Sequence, residues 1–158
     1  MIGSSRFTMA EMPALCSNNG PFLVGTDIVD VADVEASIRA FGDRYLNRVF
    51  TEGELDYCLE AGRVPGPHLA ARVAAKEAAM KVLRPTRDDA IPLSSIETIR
   101  AAEGWCELSL SGAAREAALR AGLVAFSMSL SHEARYATAV VVAHRDLTQT
   151  ARGGHPHQ

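Results

Sequence analysis

Two carboxylates, an amine and an imidazole stand out in this chain. Asp27 lies inside an apolar, β-branched run, "PFLVGTDIVDV". A carboxylate in such a run costs free energy unless a cation, a metal or hydrogen bonds answer it. Glu77 and Lys81 lie four residues apart in "LAARVAAKEAAMKVL". Arg72 and Lys76, also four apart, take another face of the same stretch, about 100° round. "SLSHE" adds Ser131, His132 and Glu133. Taken singly, each has an ordinary structural reading. Asp27 can cap the end of a strand, Glu77 and Lys81 can form a surface pair worth about 0.3–0.5 kcal/mol, and His132 can be a turn residue. Taken together they make chemical sense. Asp27 and Glu77 are hard oxygen donors of the kind Mg²⁺ uses, with water and phosphate completing its shell. Lys81 would sit beside a phosphate, which suits a reaction at a pyrophosphate. No Walker loop is present, so P-loop nucleotide chemistry is excluded.

The elements that must position these groups follow from local pattern. "PFLVGTDIVDV" reads as a strand. Asp30 and Asp33 offer N-cap chemistry for a helix ending near Gly42. Thr51 followed by Glu54 is a capping box, with Gly62 as the stop. "RVPGPH" reads as a breaker, and the alanine-rich helix runs from there to Pro85. "SIETIRAAEGWCELSL" reads as a hairpin around Glu103 and Gly104. Ser111 caps a short helix closed by Gly122. "VAFSMSLSHEARYATAVVV" is a second hairpin turning near His132, Glu133 and Ala134. Its Phe126, Met128 and Leu130 share one face, and Ser127, Ser129 and Ser131 the other. The order is strand, three helices, two strands, helix, two strands: α+β, a mostly antiparallel sheet packed with helices in a single-domain subunit.

At 158 residues the chain suffices for one domain with a real core. Its net charge of −3 argues against a general nucleic-acid binder. With mean hydropathy of +0.02 it reads as soluble, and no apolar run reaches the roughly 18 residues of a membrane helix. The N-terminus carries no signal-peptide pattern. Cys16, Cys58 and Cys106 form no C-x-x-C pair, which suits a reducing cytoplasm. Residues 1–20 read as a flexible N-terminal extension in which Met9 or Met12 could be the natural start. Residues 144–158 read as a flexible tail, His155 and His157 included. The folded part is then 21–143.

Four segments, "VGTDIVDV", "RVFTEGEL", "ARVAAKEAAMK" and "SLSHEARYATAVVV", occur in an order and spacing that resemble the small holo-acyl-carrier-protein synthases, a type of 4′-phosphopantetheinyl transferase. The resemblance implies Mg²⁺-dependent transfer of phosphopantetheine from coenzyme A to a serine of an apo acyl carrier protein, with release of 3′,5′-ADP, in fatty-acid or polyketide biosynthesis. It implies Asp27 and Glu77 as metal ligands, joined by Glu133. Glu77 is implied as the base for the serine proton, Lys81 as the residue facing the phosphates, and His132 as a neighbour of the pyrophosphate. Arg72, Lys76 and Ser131 match substrate-binding positions, Lys76 contacting coenzyme A and Arg72 holding an acidic neighbour. A homotrimer with sites between subunits is also implied, and the alanine-rich helix and apolar last strand fit it.

The chain departs from the pattern in two places. The first helix carries Asp33 and Glu35 where the family places a basic residue for the acidic carrier protein. Arg39, Arg44 and Arg48 are the candidates to take over docking. The glycine-rich turn after the long helix is replaced by "KVLRPTRDD", where Arg84 and Arg87 are candidates for a phosphate of coenzyme A. These departures leave open a non-catalytic or repurposed relative that binds a carrier protein or a carrier-bound chain without transfer. An unrelated α+β interaction module with merely solvated charges is the other alternative.

Overall fold

A computed structural model of the chain describes residues 20–60 and 62–150. The extension and tail expected at the two ends, with Met9, Met12, Cys16, His155 and His157, lie largely or wholly outside these residues. Strand β1 (Phe22–Asp30) leads into helices α1 (Val31–Phe41), α2 (Asp43–Val49), α3 (Glu52–Leu59) and α4 (Pro65–Leu83). A 3₁₀ turn, Leu93–Ser95, precedes strands β2 (Ile96–Arg100) and β3 (Cys106–Leu110). Helix α5 (Gly112–Arg120), strands β4 (Leu123–His132) and β5 (Tyr136–Arg145) and helix α6 (Leu147–Thr150) complete the order. The α+β class is as expected. The strands form two antiparallel sheets rather than one, β1-β5-β4 and the separate hairpin β2-β3. None of the described helices is long and apolar enough to cross a membrane.

Helix α4 is the axis of the fold. It packs against β1, β5 and β4 on one side and α1, α3, β2 and α5 on others. Where it meets these neighbours it presents small side chains; Ala70, Ala71, Ala74, Ala75, Ala78 and Ala79 are all buried. One apolar cluster joins α4 to the inner sheet face through Leu23, Val82, Ala139 and Val141. A second joins the N-terminal half of α4 to α1 and α3 through Val31, Val34, Cys58 and Leu69. Burial pushes the Cys58 thiol up to about 11, which makes it a packing group at neutral pH. Gly25 sets the distance between strand and helix. A Cβ there would collide with the carbonyl oxygen of Ala78, so only glycine lets β1 cross α4 this closely.

Several local expectations hold. Asp30 caps α1 by accepting from the Ala32 amide at 3.0 Å. Thr51 and Glu54 make the capping box, and Gly42 closes α1 with φ 53°. Others need correction. Four helices, not three, separate β1 from β2, because 43–49 forms its own two-turn helix after the Gly42 corner. The "RVPGPH" stretch does not interrupt the chain; Pro65 opens α4, where a missing N–H costs nothing. Asp33 lies inside α1 rather than capping it, and Ser111 makes no side-chain cap to α5. His132 is the last residue of β4, so the turn begins at Glu133. Strand β5 continues to Arg145, with His144 opposite Phe22.

Candidate functional site

Inner-face positions Leu23, Gly25, Asp27 and Val29 of β1 point toward α4. Helical side chains lean toward the N-terminus of their helix, so Lys81 reaches back along α4 to this strand. Its ammonium donates to the Asp27 carboxylate at 2.8 Å and to the Thr26 carbonyl at 2.6 Å. Glu77, one turn before Lys81, is half-buried. No hydrogen bond or ion pair engages it among the described residues. Asp27 thus pairs with Lys81 where strand crosses helix, and Glu77 adds a second hard carboxylate one turn back on α4. That donor set fits a magnesium ion, which takes one or two carboxylates and fills its other positions with water and phosphate oxygen. No cluster of three such donors forms among the described residues of the single chain. Glu133 lies beyond the end of β4, and its amide donates to the Tyr136 carbonyl. Tyr136 is three strand positions from Ala139, the partner of Asp27, or about 10 Å. Glu133 therefore does not join Asp27 within one chain.

At the other end of α4 lies a cavity of about 220 Å³ lined by Tyr57, His68, Arg72, Arg100, Trp105 and His132. Arg72 is only 3% exposed. Its guanidinium stacks 4.4 Å above the Tyr57 ring and donates to the His68 carbonyl at 3.1 Å. No carboxylate pairs with it among the described residues, and its Nε has no hydrogen-bond partner. The acidic neighbour expected for Arg72 belongs instead to Lys76. Lys76 is fully buried and pairs with Glu54 at 2.7 Å; it also donates to the carbonyls of Leu93 and Ile96. Burial pulls its pKa down, and Glu54 opposes that shift. The contact with coenzyme A expected of Lys76 is corrected on this ground, since all three of its donors are spent inside the fold. Glu54 in turn accepts from the Thr98 amide at 2.9 Å, tying α3, α4 and β2 together.

The remaining expected residues are dispersed. Ser131 is exposed opposite Thr138 and is not among the residues lining the cavity. Arg84 ends α4 in the left-handed conformation, φ 49°, and Arg87 is exposed in the loop beyond. That loop is latched by Asp89, which accepts from the Thr86 amide at 2.8 Å and pairs with Arg120. Arg39 is exposed and lies 3.9 Å from Glu35. Arg44 and Arg48 border a shallow cleft with Phe41 and Tyr45.

Sequence reasoning missed Tyr57, His68, Arg63, Arg100 and Trp105. Arg63 stacks 4.2 Å above Tyr57 and donates to its hydroxyl, as does Arg100. The only hint was an exposed-type aromatic, Trp105, in a hairpin turn; the rest meet only through tertiary packing.

The family model of the 4′-phosphopantetheinyl transferase superfamily matches residues 23–141. A holo-[acyl-carrier-protein] synthase of Dehalococcoides mccartyi is 41% identical over 119 residues, covering 75% of this chain and 95% of the relative. Among solved structures, a Chronobacterium ammoniagenes ACPS–CoA complex superposes with a TM-score of 0.69 at 28% identity, over 79% of this chain and 98% of that one. The holo-[acyl-carrier-protein] synthase of Neisseria meningitidis gives 0.69 at 31% identity, over 77% and 97%. On the family match over 23–141 and the 41% identity to the D. mccartyi synthase, the chain belongs to the 4′-phosphopantetheinyl transferase superfamily, as an enzyme of the holo-acyl-carrier-protein synthase type.

Proposed function

We propose that this enzyme moves the 4′-phosphopantetheine group of coenzyme A onto a serine of an apo acyl carrier protein, releasing 3′,5′-ADP. The observation that carries the reading is Arg72, a buried cation without a counter-ion facing a cavity beside His132. A buried charge with no partner is strongly disfavoured. A phosphate group entering the cavity would supply the missing anion, and coenzyme A, present in the C. ammoniagenes complex, carries three.

The residues on α4 argue for a site shared between chains. Lys81 follows Arg72 by nine residues, about 14 Å along the axis and about 180° around it. One ligand cannot reach both on one chain without wrapping the helix, so a second copy supplies the other half. The outer sheet face supports such assembly: Phe22, Val24 and Ile28 are 65%, 66% and 67% exposed. Three exposed apolar side chains along one face of β1, interrupted only by Thr26, suit an interface. We assign the assembly as a homotrimer, the state the sequence resemblance implies, in which Glu133 could approach a metal only from a neighbouring copy.

In this arrangement Asp27 and Glu77 would hold Mg²⁺, which would supply charge neutralisation for the transfer. Glu77, with no protein partner among the described residues, accepts the serine proton directly or through a bound water. The serine oxygen forms a bond to phosphorus as the bond to the bridging oxygen of 3′,5′-ADP breaks. Lys81 exchanges its hold on Asp27 for the phosphate oxygens and stabilises the leaving group. Arg72 and His132 grip the other end of the donor. Arg39, Arg44 and Arg48, with exposed Phe41, form the docking face for an acidic carrier protein, and the reaction belongs to the cytoplasm.

The test is intact-mass analysis of apo carrier proteins incubated with the enzyme, coenzyme A and Mg²⁺. A phosphopantetheine adduct that disappears with EDTA is the expected result. One observation favours the alternative of a relative that binds without transfer: Arg84 and Pro85 stand where the family has a flexible glycine turn. Calorimetric binding of coenzyme A with no adduct on any carrier would support that alternative.

A further inference from the structure

We propose that His68 is an additional anion-binding residue of the cavity, taking up a proton when a phosphate group enters; this rests on the reading that the cavity holds the phosphates of the donor. His68 lies on the first turns of α4, half-buried, and lines the cavity. Its ring is held from two sides. It meets His132 edge-on at 4.7 Å and 73°, and Tyr57 at 5.9 Å and 86°. Its backbone carbonyl accepts from Arg72 at 3.1 Å, which places the residue beside that guanidinium.

The charges around the ring are of one sign. Arg72 faces it from α4, Arg63 from the segment after α3, Arg100 from β2 and His132 from β4. Tyr57 of α3 and Cys106 of β3 complete the titratable groups around the cavity. Of these cations Arg63 is paired, with Glu60 at 2.7 Å; Glu107 accepts from the Trp105 indole at 3.0 Å, and no carboxylate pairs with Arg72 among the described residues. Burial first, then His132 and the three arginines, hold the His68 pKa below its ordinary value. The empty cavity therefore keeps His68 neutral at pH 7. A phosphate reverses the balance. An opposite charge close to an ionisable group moves its pKa by about 1–3 units toward the charged form. His68 then protonates on binding and adds a cation only when an anion is present. A permanent fourth cation would repel the arginines in the free enzyme, and a histidine avoids that.

The experiment is calorimetric titration of the full chain with adenosine 3′,5′-bisphosphate at pH 7, in phosphate-free buffers of different ionisation enthalpy. The slope of heat against buffer enthalpy counts protons. Wild type is expected to take up protons on binding, and His68→Phe, which keeps an aromatic ring in the stack, is expected to lose roughly half a proton or more of that uptake. It is also expected to bind several-fold more weakly, with a flatter pH dependence between pH 6 and 8. His68→Asn is measured alongside, so that a folding defect of one variant, read from circular dichroism, does not decide the result. Unchanged proton uptake and affinity in a folded variant would overturn the role of His68 while leaving the donor site standing. Absence of binding by wild type would overturn both.

Discussion

Arg72 and Glu77 differ by five positions on one helix and face opposite demands. Arg72 is a buried cation waiting for an anion; Glu77 is a half-buried carboxylate without a partner. Replacing Arg72 by methionine keeps the volume and removes the desolvation cost. Arg72→Met is expected to leave the thermal midpoint unchanged or raise it, while donor affinity falls by tenfold or more. A purely structural arginine would give the reverse, a lower midpoint with affinity retained. Glu77→Gln is expected to lower the transfer rate by about 10²–10⁴-fold, with the fold intact by circular dichroism. The candidate residues, though not their roles, were legible in the sequence. Asp27, Glu77 and Lys81 were recognisable because an aspartate in a strand and charges in an alanine helix violate burial expectations. The roles of Arg72 and Lys76 were not, because residues four apart on a helix face look alike until the neighbouring helix and strand decide which one is walled in.

At the level of elements, the crossing of β1 and α4 and the Glu54–Lys76 pair fix the geometry. Gly25→Ala forces the strand off the helix, and is expected to destabilise the protein by about 2–3 kcal/mol and to separate Asp27 from Lys81. Denaturant unfolding checks the first effect and activity the second. Glu54→Gln leaves Lys76 charged and unpaired in the core, and is expected to cost about 3–5 kcal/mol by the same measurement. The loop after α4 carries a pH signature. The Thr86 amide, then its hydroxyl and Arg120, hold the Asp89 carboxyl below its ordinary value. Its contribution is therefore present above the unfolded carboxyl range near 4 and is lost as pH falls through the lower folded value. Asp89→Asn is expected to lower stability at pH 7, where that contribution is present, and to flatten the acid limb of a stability–pH profile below about pH 4. Capping residues made β1, α1, α3 and the two hairpins readable. Helix α2 and the start of α4 were hidden because Gly42 and the prolines read as breaks. In fact Gly42 turns a corner between helices and Pro65 begins one.

For the whole molecule, the outer sheet face and the opposed charges of α4 both support the proposed assembly with a second copy. The exposed apolar face of β1 was not legible in the sequence, since single exposed valines are common on any surface. The central claim is that Asp27, Glu77 and Lys81 of one chain act on a donor gripped by Arg72 and His132 of its neighbour. The most direct measurement is complementation. Glu77→Gln and Arg72→Met chains, each inactive alone at limiting coenzyme A, are co-expressed and purified as mixed assemblies, and phosphopantetheine transfer to an apo carrier protein is followed by intact mass. Random mixing leaves one intact site in four, so recovery of roughly a quarter of wild-type activity is expected. Mixed assemblies no more active than either variant alone would contradict a site built across two chains.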